Sequence, residues 1–398
     1  MSERTHVRFI RPLPILLVTL LAGCADSAPK TVGVVLPLTG PDKVYGQSLE
    51  RGIALAYEEL RREAGEGELP FALEVHDSCS HPQRAAELAA ELYGDGAVAV
   101  IGGATDAEAR AMVPAAGKAE RVLLSPTAAS AELAGDSRYV FRLSPSDYQQ
   151  AVTMGGFAVL DLDLARAAVL MPSSDSGREL GQVFQDEFER QGGEVVSAVG
   201  YPARVEDKAL GRSVGDVLAK RPQGIYLAAT GDRTARAVLA ELARRGFRGT
   251  VMTTSAFAAT GLLTEAGAGT EGLVVSAGSF DPASADPKVK AFVEAYRERH
   301  GADPDSYAAH GYDAVMALAQ AAEEGAEQGA GLRELWKGLR GLSGFQGVTG
   351  YIQFDEQGNV GQFPRVFVVD QGALTELEPD GARRRLAALG RQTADVHG

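Results

Sequence analysis

Two cysteines and a handful of histidines are the residues most able to do chemistry in this chain. Leu21-Ala22-Gly23-Cys24 matches the bacterial lipobox, in which small residues admit a peptidase and the cysteine thiol takes lipid before cleavage. His76, Cys79 and His81 fall within six residues after a strand-like segment, and imidazole with thiolate suits zinc, but the spacing fits no common zinc motif. We read them as an ordinary polar loop that needs no cofactor. Gly267-Ala268-Gly269-Thr270-Glu271-Gly272 satisfies the dinucleotide pattern, yet it runs into the strand-like Leu273–Ser276 and not into a helix whose amide row could hold a pyrophosphate. His300, His310 and His397 stand in no nucleophile motif, and there is no G-x-S-x-G elbow, H-E-x-x-H pair or phosphate loop, so an enzyme is disfavoured.

A different chemistry is suggested by polar loops that follow strands, where open parallel sheets hold ligands. Thr105-Asp106-Ala107-Glu108 reads as a capping box, Ser125-Pro126-Thr127-Ala128-Ala129-Ser130 opens the next helix, and Ser173-Ser174-Asp175-Ser176-Gly177 does so in the second lobe. Each could equally be plain helix capping.

The elements that position these loops alternate regularly. Thr31–Leu38 reads as a buried strand. A helix follows with Leu49, Ile53, Ala56, Tyr57 and Leu60 on one face. Strand Phe71–Val75, helix Arg84–Tyr93, strand Ala97–Ile101, helix Ala107–Ala116 and strand Val122–Leu124 complete a first lobe. Ser144-Pro145-Ser146-Asp147 starts the helix Tyr148–Leu160. Strands at Ala167–Met171, Glu194–Tyr201, Gly224–Ala228, Thr250–Thr254 and Gly272–Ser276, with helices between, make a second lobe. Helices Pro287–His300 and Tyr307–Ala322 follow, then a closing hairpin of Tyr351–Phe354 with Arg365–Val369, then a polar, Arg-rich tail. The expected class is α/β, with two Rossmann-like parallel-sheet lobes.

Ahead of Cys24, Arg4, Arg8 and Arg11 precede the apolar run Leu13–Ala22, a charged and then hydrophobic export signal. The run is about half the roughly 20 apolar residues a spanning helix needs. Residues 1–23 are therefore expected to be removed, leaving 24–30 as a lipidated tether and Cys24 as the only membrane attachment. Removal takes three Arg and one Glu from a chain of formal charge −14, leaving −16. So acidic a surface offers no footprint for nucleic acid or anionic lipid. Cys79 is then the only other cysteine, so no intramolecular disulfide is expected.

The chain resembles the leucine/isoleucine/valine-binding protein family, the type I periplasmic solute receptors of ATP-driven importers, over about residues 31–370. The resemblance rests on Gly33-Val34-Val35-Leu36-Pro37-Leu38-Thr39-Gly40-Pro41, Tyr45-Gly46-Gln47-Ser48, Val100-Ile101-Gly102-Gly103, Leu124-Ser125-Pro126, Phe141-Arg142-Leu143-Ser144-Pro145-Ser146 and Gly311-Tyr312-Asp313-Ala314. It implies a three-segment hinge near 143–146, 275–279 and 348–352. The lobes would be 31–144 with 277–349 and 145–276 with 350–372, followed by a tail at 373–398. A small molecule would bind in the cleft, and the lobes would close over it. ABC permease subunits are the implied partners. The implied cleft residues are Tyr45, Thr105, Asp106, Ser125, Thr127, Ala128, Asp175, Ser176, Thr230 and Ser255. Amino-acid-binding members hold the ligand's carboxylate and ammonium with a Ser or Thr hydroxyl, backbone groups and a further Thr. By loop position this chain has Asp106 and Ala129 at the two hydroxyl positions, Ser176 where a Tyr is usual, and Ser255 near an ammonium-binding acid. An ionised Asp106 would repel a ligand carboxylate by several kcal/mol in a desolvated cleft, so a small polar or cationic ligand is expected. The alternative is an envelope regulator on the same fold that presents its lobes to a protein partner, in the manner of peptidoglycan-synthase activators.

Overall fold

The computed structural model describes residues 30–391, apart from 66, 68, 131–132, 134–136, 203–207, 230–232, 260–262, 264–266 and 328–330. The first sheet is built from Val-rich runs that lie between helices and therefore bury both faces. In β1 (Thr31–Leu36), Val32, Val34, Val35 and Leu36 are all fully buried. Each such side chain contributes roughly 1.5–3 kcal/mol. With β2 (Ala72–Asp77), β3 (Ala99–Gly102), β4 (Val122–Ser125) and β5 (Val140–Arg142) it forms a wholly parallel sheet in the order β2-β1-β3-β4-β5. The three-residue β5 is too short to show a period in the sequence, and only its pairing with β4 defines it.

Helices α1 (Lys43–Ala64), α2 (Pro82–Gly94) and α3 (Asp106–Ala119) provide the crossovers. Three later helices return to this lobe: α8 (Pro287–His300), α9 (Ser306–Glu327) and α10 (Leu335–Gly341). Helix α1 lies against α9 at backbone distance. A Cβ on Gly52 would sit 1.8 Å from the Ala308 carbonyl oxygen, and one on Gly311 would sit 2.4 Å from that of Leu49.

The second sheet has the order β14-β13-β10-β9-β8-β6-β7, from β6 (Arg166–Pro172), β7 (Glu194–Tyr201), β8 (Gly224–Leu227), β9 (Thr250–Thr253), β10 (Val274–Ala277), β13 (Arg365–Asp370) and β14 (Ala373–Glu376). All neighbours are parallel except the β10–β13 and β13–β14 pairs. Helices α4 (Asp147–Leu160), α5 (Asp175–Arg190), α6 (Lys208–Leu218) and α7 (Arg233–Arg244) belong to this lobe.

The end of the chain departs from expectation in three ways. Tyr351–Phe354 does not pair with Arg365–Val369: β12 (Gly350–Ile352) pairs with β11 (Phe345–Gly347), and β13 turns back on β14. Phe354 bridges Val360 across the Asp355–Asn359 turn, Asn359 bridges Arg142, and the Phe354 ring packs edge-on to Phe141 at 5.2 Å. The chain therefore stays beside the first lobe until about residue 361, so the third passage lies later than 348–352. Finally, the residues read as a tail from 373 form β14 and α11 (Ala382–Ala388), with Leu377, Ala382 and Leu386 buried in the second lobe's core. Three consecutive arginines disguise a helix whose other face is apolar.

Candidate functional site

Strands β3, β4 and β5 end side by side, and the loops beyond them form one wall of a cleft between the lobes. Thr105 caps α3 by accepting from the Glu108 amide at 3.4 Å, which puts Asp106 in the helix's first turn. Asp106 Oδ1 accepts from the amides of Ala129 (2.8 Å) and Ser130 (2.9 Å) in the loop after β4. That loop is held from behind. Arg142, buried at the end of β5, donates through Nη1 to the Ala129 and Ser130 carbonyls at 3.0 and 2.8 Å. Ser125 Oγ donates to Gly103 and accepts from the Ala128 amide, while Thr127 Oγ1 donates to the Ala104 carbonyl at 3.1 Å.

The opposite wall comes from the second lobe. Ser146 caps α4 in a reciprocal capping box with Gln149, which fixes Asp147 in the first turn, and the Asp147 amide donates to Ala129 O at 2.8 Å. Gln150, fully buried, donates to Pro145 O at 3.1 Å and accepts from the Ser255 amide at 2.7 Å. A single side chain thus ties the first inter-lobe passage to the loop after β9. Thr254 Oγ1 donates to Ala229 O, fixing the adjacent loop. Across the cleft, the Tyr45 hydroxyl in α1 donates to Ala256 O at 3.2 Å.

The space between the walls is narrow and opens to solvent. It is lined by Tyr45, Ala104, Thr105, Asp106, Thr127, Ala129 and Tyr307 on one side and by Asp147, Ala229, Thr254, Ser255 and Ala256 on the other. Burial pushes the Asp106 carboxyl up, opposed by its two amide donors and by Arg110 and Arg142. Burial also pushes Asp147 well above the carboxylate range, and the charge of Asp106 adds to this.

Of the residues implied for the cleft, Tyr45, Thr105, Asp106, Thr127 and Ser255 come together here. Ser125 and Ala128 lie behind the wall as its support. Asp175 and Ser176 do not line the cleft. Ser174 caps α5, the Asp175 side chain is fully exposed and pairs with Arg178, and Ser176 Oγ contacts Ser174 Oγ at 3.4 Å. Thr230 and Cys24 fall outside the described residues. Asp147 and Tyr307 were not singled out. Asp147 had a signal, as the residue after a helix cap at the end of the first passage; Tyr307 had none. The loop bearing Cys79 is organised by Asp77, whose carboxylate accepts from the Leu38, Thr39 and Cys79 amides and the Thr39 hydroxyl. Although burial opposes ionisation, these donors hold it at about 2. Among the described residues, no group of three or more His, Cys, Asp or Glu could hold a metal ion, and no helix is long and apolar enough to cross a membrane.

Two α/β lobes with a polar cleft at their strand ends invite comparison with known receptors. The family model described as "periplasmic binding protein" matches residues 29–373. This chain belongs to that family. A Leu/Ile/Val-binding protein homolog of Brucella abortus is 25% identical over 82% of this chain and 86% of its own length. A leucine-binding protein of Thermotoga maritima superposes with a TM-score of 0.78 at 26% identity, covering 87% of this chain and 97% of that one. An ABC transporter substrate-binding protein of Desulfitobacterium hafniense, solved with leucine, gives a TM-score of 0.74 at 26% identity over 87% and 99%. The fold is thus that of the type I periplasmic binding proteins, a family of extracytoplasmic solute binders and not of enzymes.

Proposed function

We propose that this periplasmic binding protein is the solute receptor of an ABC importer, held outside the cytoplasm by lipid on Cys24, and that it takes a small polar molecule of amino-acid size. The observation that carries the reading is the cleft itself. Two walls of helix caps and strand ends, one from each lobe, face each other across a narrow polar cleft. The Tyr45–Ala256 hydrogen bond and the Asp147–Ala129 backbone bond already span them. A solute that contacts both walls binds the closed form better than the open one and so drives closure. The closed form is what a permease would recognise. The moving units are the two sheets with their helices, joined by the passages near 143–146, 278–286 and 361–364.

Binding is tested by thermal shift and small-angle scattering of the mature protein against amino acids, amides, amines and sugars. A ligand should raise the melting temperature, by about 2.7 kcal/mol of stabilisation at a hundredfold excess over Kd, and contract the particle. If no solute moves either signal, while a partner protein is captured without one, the receptor reading fails. Lipidation is tested separately. Cys24→Ser should move the protein from the detergent phase to the aqueous phase, and unchanged partitioning would refute the anchor.

A further inference from the structure

We infer, resting on the receptor reading above, that the solute is a compact organic cation without a free carboxylate, its ammonium or amidinium group seated between Asp106 and Asp147. Three independent features of the cleft lead there.

The first is charge. Among the described residues that line the cleft, Asp106 and Asp147 are the only charged ones. Arg142 is buried behind the wall with its Nη1 engaged by two carbonyls. The Arg142 and Arg110 guanidiniums act on both carboxyls but neither lines the cleft, so a cation seated between the carboxyls meets acidic oxygens and no basic group. Burial raises both carboxyls, and a cation between them favours their ionised forms, whereas a carboxylate there would add a further acid to a poorly hydrated space.

The second is the use of the amides. The Ala129 and Ser130 N–H groups, which face the first-lobe wall, are both taken by Asp106 Oδ1. The chain's own carboxylate thus occupies the donors that a ligand carboxylate would need at this loop. Both bonds fall on one oxygen of Asp106, and the Asp147 carboxylate accepts no hydrogen bond among the described residues, so acceptor capacity is left over where donor capacity is spent.

The third is aromatic. The Tyr45 and Tyr307 rings both line the cleft, with centroids 4.9 Å apart and planes tilted by 31°. Aromatic faces beside carboxylates bind ammonium and guanidinium groups, most strongly when the cation is desolvated. Thr105, Thr127 and Ser255 supply hydroxyls for the remaining N–H donors or for a polar substituent.

The test uses one carbon skeleton in three charge states. Leucinamide, leucine and 4-methylpentanoate are titrated calorimetrically into the mature protein, with agmatine and choline as further cations. The expected result is binding of one or more of the cations, no binding of 4-methylpentanoate, and leucine weaker than leucinamide by about a hundredfold. Asp147→Asn and Asp106→Asn should each weaken the bound cation by about tenfold or more. Because Asp106 also anchors a loop, the Asp147 variant decides if the Asp106 variant melts early. If leucine or 4-methylpentanoate binds and the cations do not, or if cation affinity survives Asp147→Asn, the charge assignment is overturned and the receptor reading stands. If none of the five binds, the cation assignment falls, and binding of any solute from the wider panel still upholds the receptor reading.

Discussion

Asp313, fully buried in α9, accepts from the Val348 amide (2.8 Å), the Thr349 amide (2.8 Å) and the Thr349 hydroxyl (2.6 Å). It thereby fixes the tight turn between β11 and β12, from which the chain proceeds to the third inter-lobe passage. Gly347 is shaped to it: a Cβ there would lie 2.4 Å from Asp313 Oδ2. Replacing Asp313 by Ala strands three buried donors, at about 1–3 kcal/mol each, so a loss of roughly 3–9 kcal/mol is expected when the carboxyl is neutral. Burial pushes the Asp313 carboxyl up from 3.8 to about 6, against the pull of its donors. A raised folded value means that the carboxyl stabilises the fold most below the unfolded pKa, and that this contribution is lost as pH rises through about 6. At pH 7.5 its ionisation costs roughly 3 kcal/mol, against roughly 1.5 kcal/mol at pH 5. The Ala variant should therefore lose about 1.5 kcal/mol less at pH 7.5 than at pH 5. Asn keeps one acceptor but turns an amide toward a donor, so its loss should fall between those of wild type and Ala. Urea unfolding at the two pH values, with hydrogen exchange at Val348 and Thr349, measures all of this. The reasoning fails if Ala costs under about 1 kcal/mol at both pH values, if its loss grows with pH, or if the two amides stay protected.

Three further outcomes are expected. Glu108 is buried beside Ser78, which donates to it at 2.5 Å, and burial together with the charges of Asp42 and Asp77 raises its carboxyl from 4.5 to about 7. Its favourable share is thus complete below about 4.5 and gone above about 7, so Glu108→Gln should gain about 2–3 kcal/mol relative to wild type between pH 5 and 8. This is read as a difference, because His310, held down at about 4 by burial, shifts stability the opposite way in both proteins; a flat difference would contradict it. Gly52→Ala drives a methyl into the Ala308 carbonyl and should cost at least 1–3 kcal/mol by denaturation. Gly94→Ala, where a Cβ meets nothing within 4 Å, should be neutral or stabilising, and equal effects would show that the α1–α9 contact is not close. Leu386→Ala should cost about 2–5 kcal/mol and destabilise the second lobe, because α11 is part of its core; a loss under about 0.5 kcal/mol would return that helix to the status of a tail.

Most of the architecture was legible because its signals are local. Val-rich runs such as Thr31–Leu36 and helices with a clear apolar face, such as α1, announce themselves through side-chain periodicity, and their alternation restricts the sheet to parallel crossovers. The acidic surface, the Cys24 motif and the position of Asp106 at the start of α3 also belong to the sequence alone. Strand pairing at the chain's end does not, because Arg365–Asp370 has the same period whichever neighbour it joins; only the open edge of β10 and the return of β14 decide it. The cleft shows the same division. That Asp106 is acidic was readable, but that its carboxylate consumes the Ala129 and Ser130 amides depends on two loops 23 and 24 residues apart meeting at adjacent strand ends. The placement of Asp147 opposite it depends on the chain crossing between lobes immediately beforehand. Charge and periodicity are properties of a segment and can be read along it. The field inside a cleft is set by which segments face one another, and packing alone determines that.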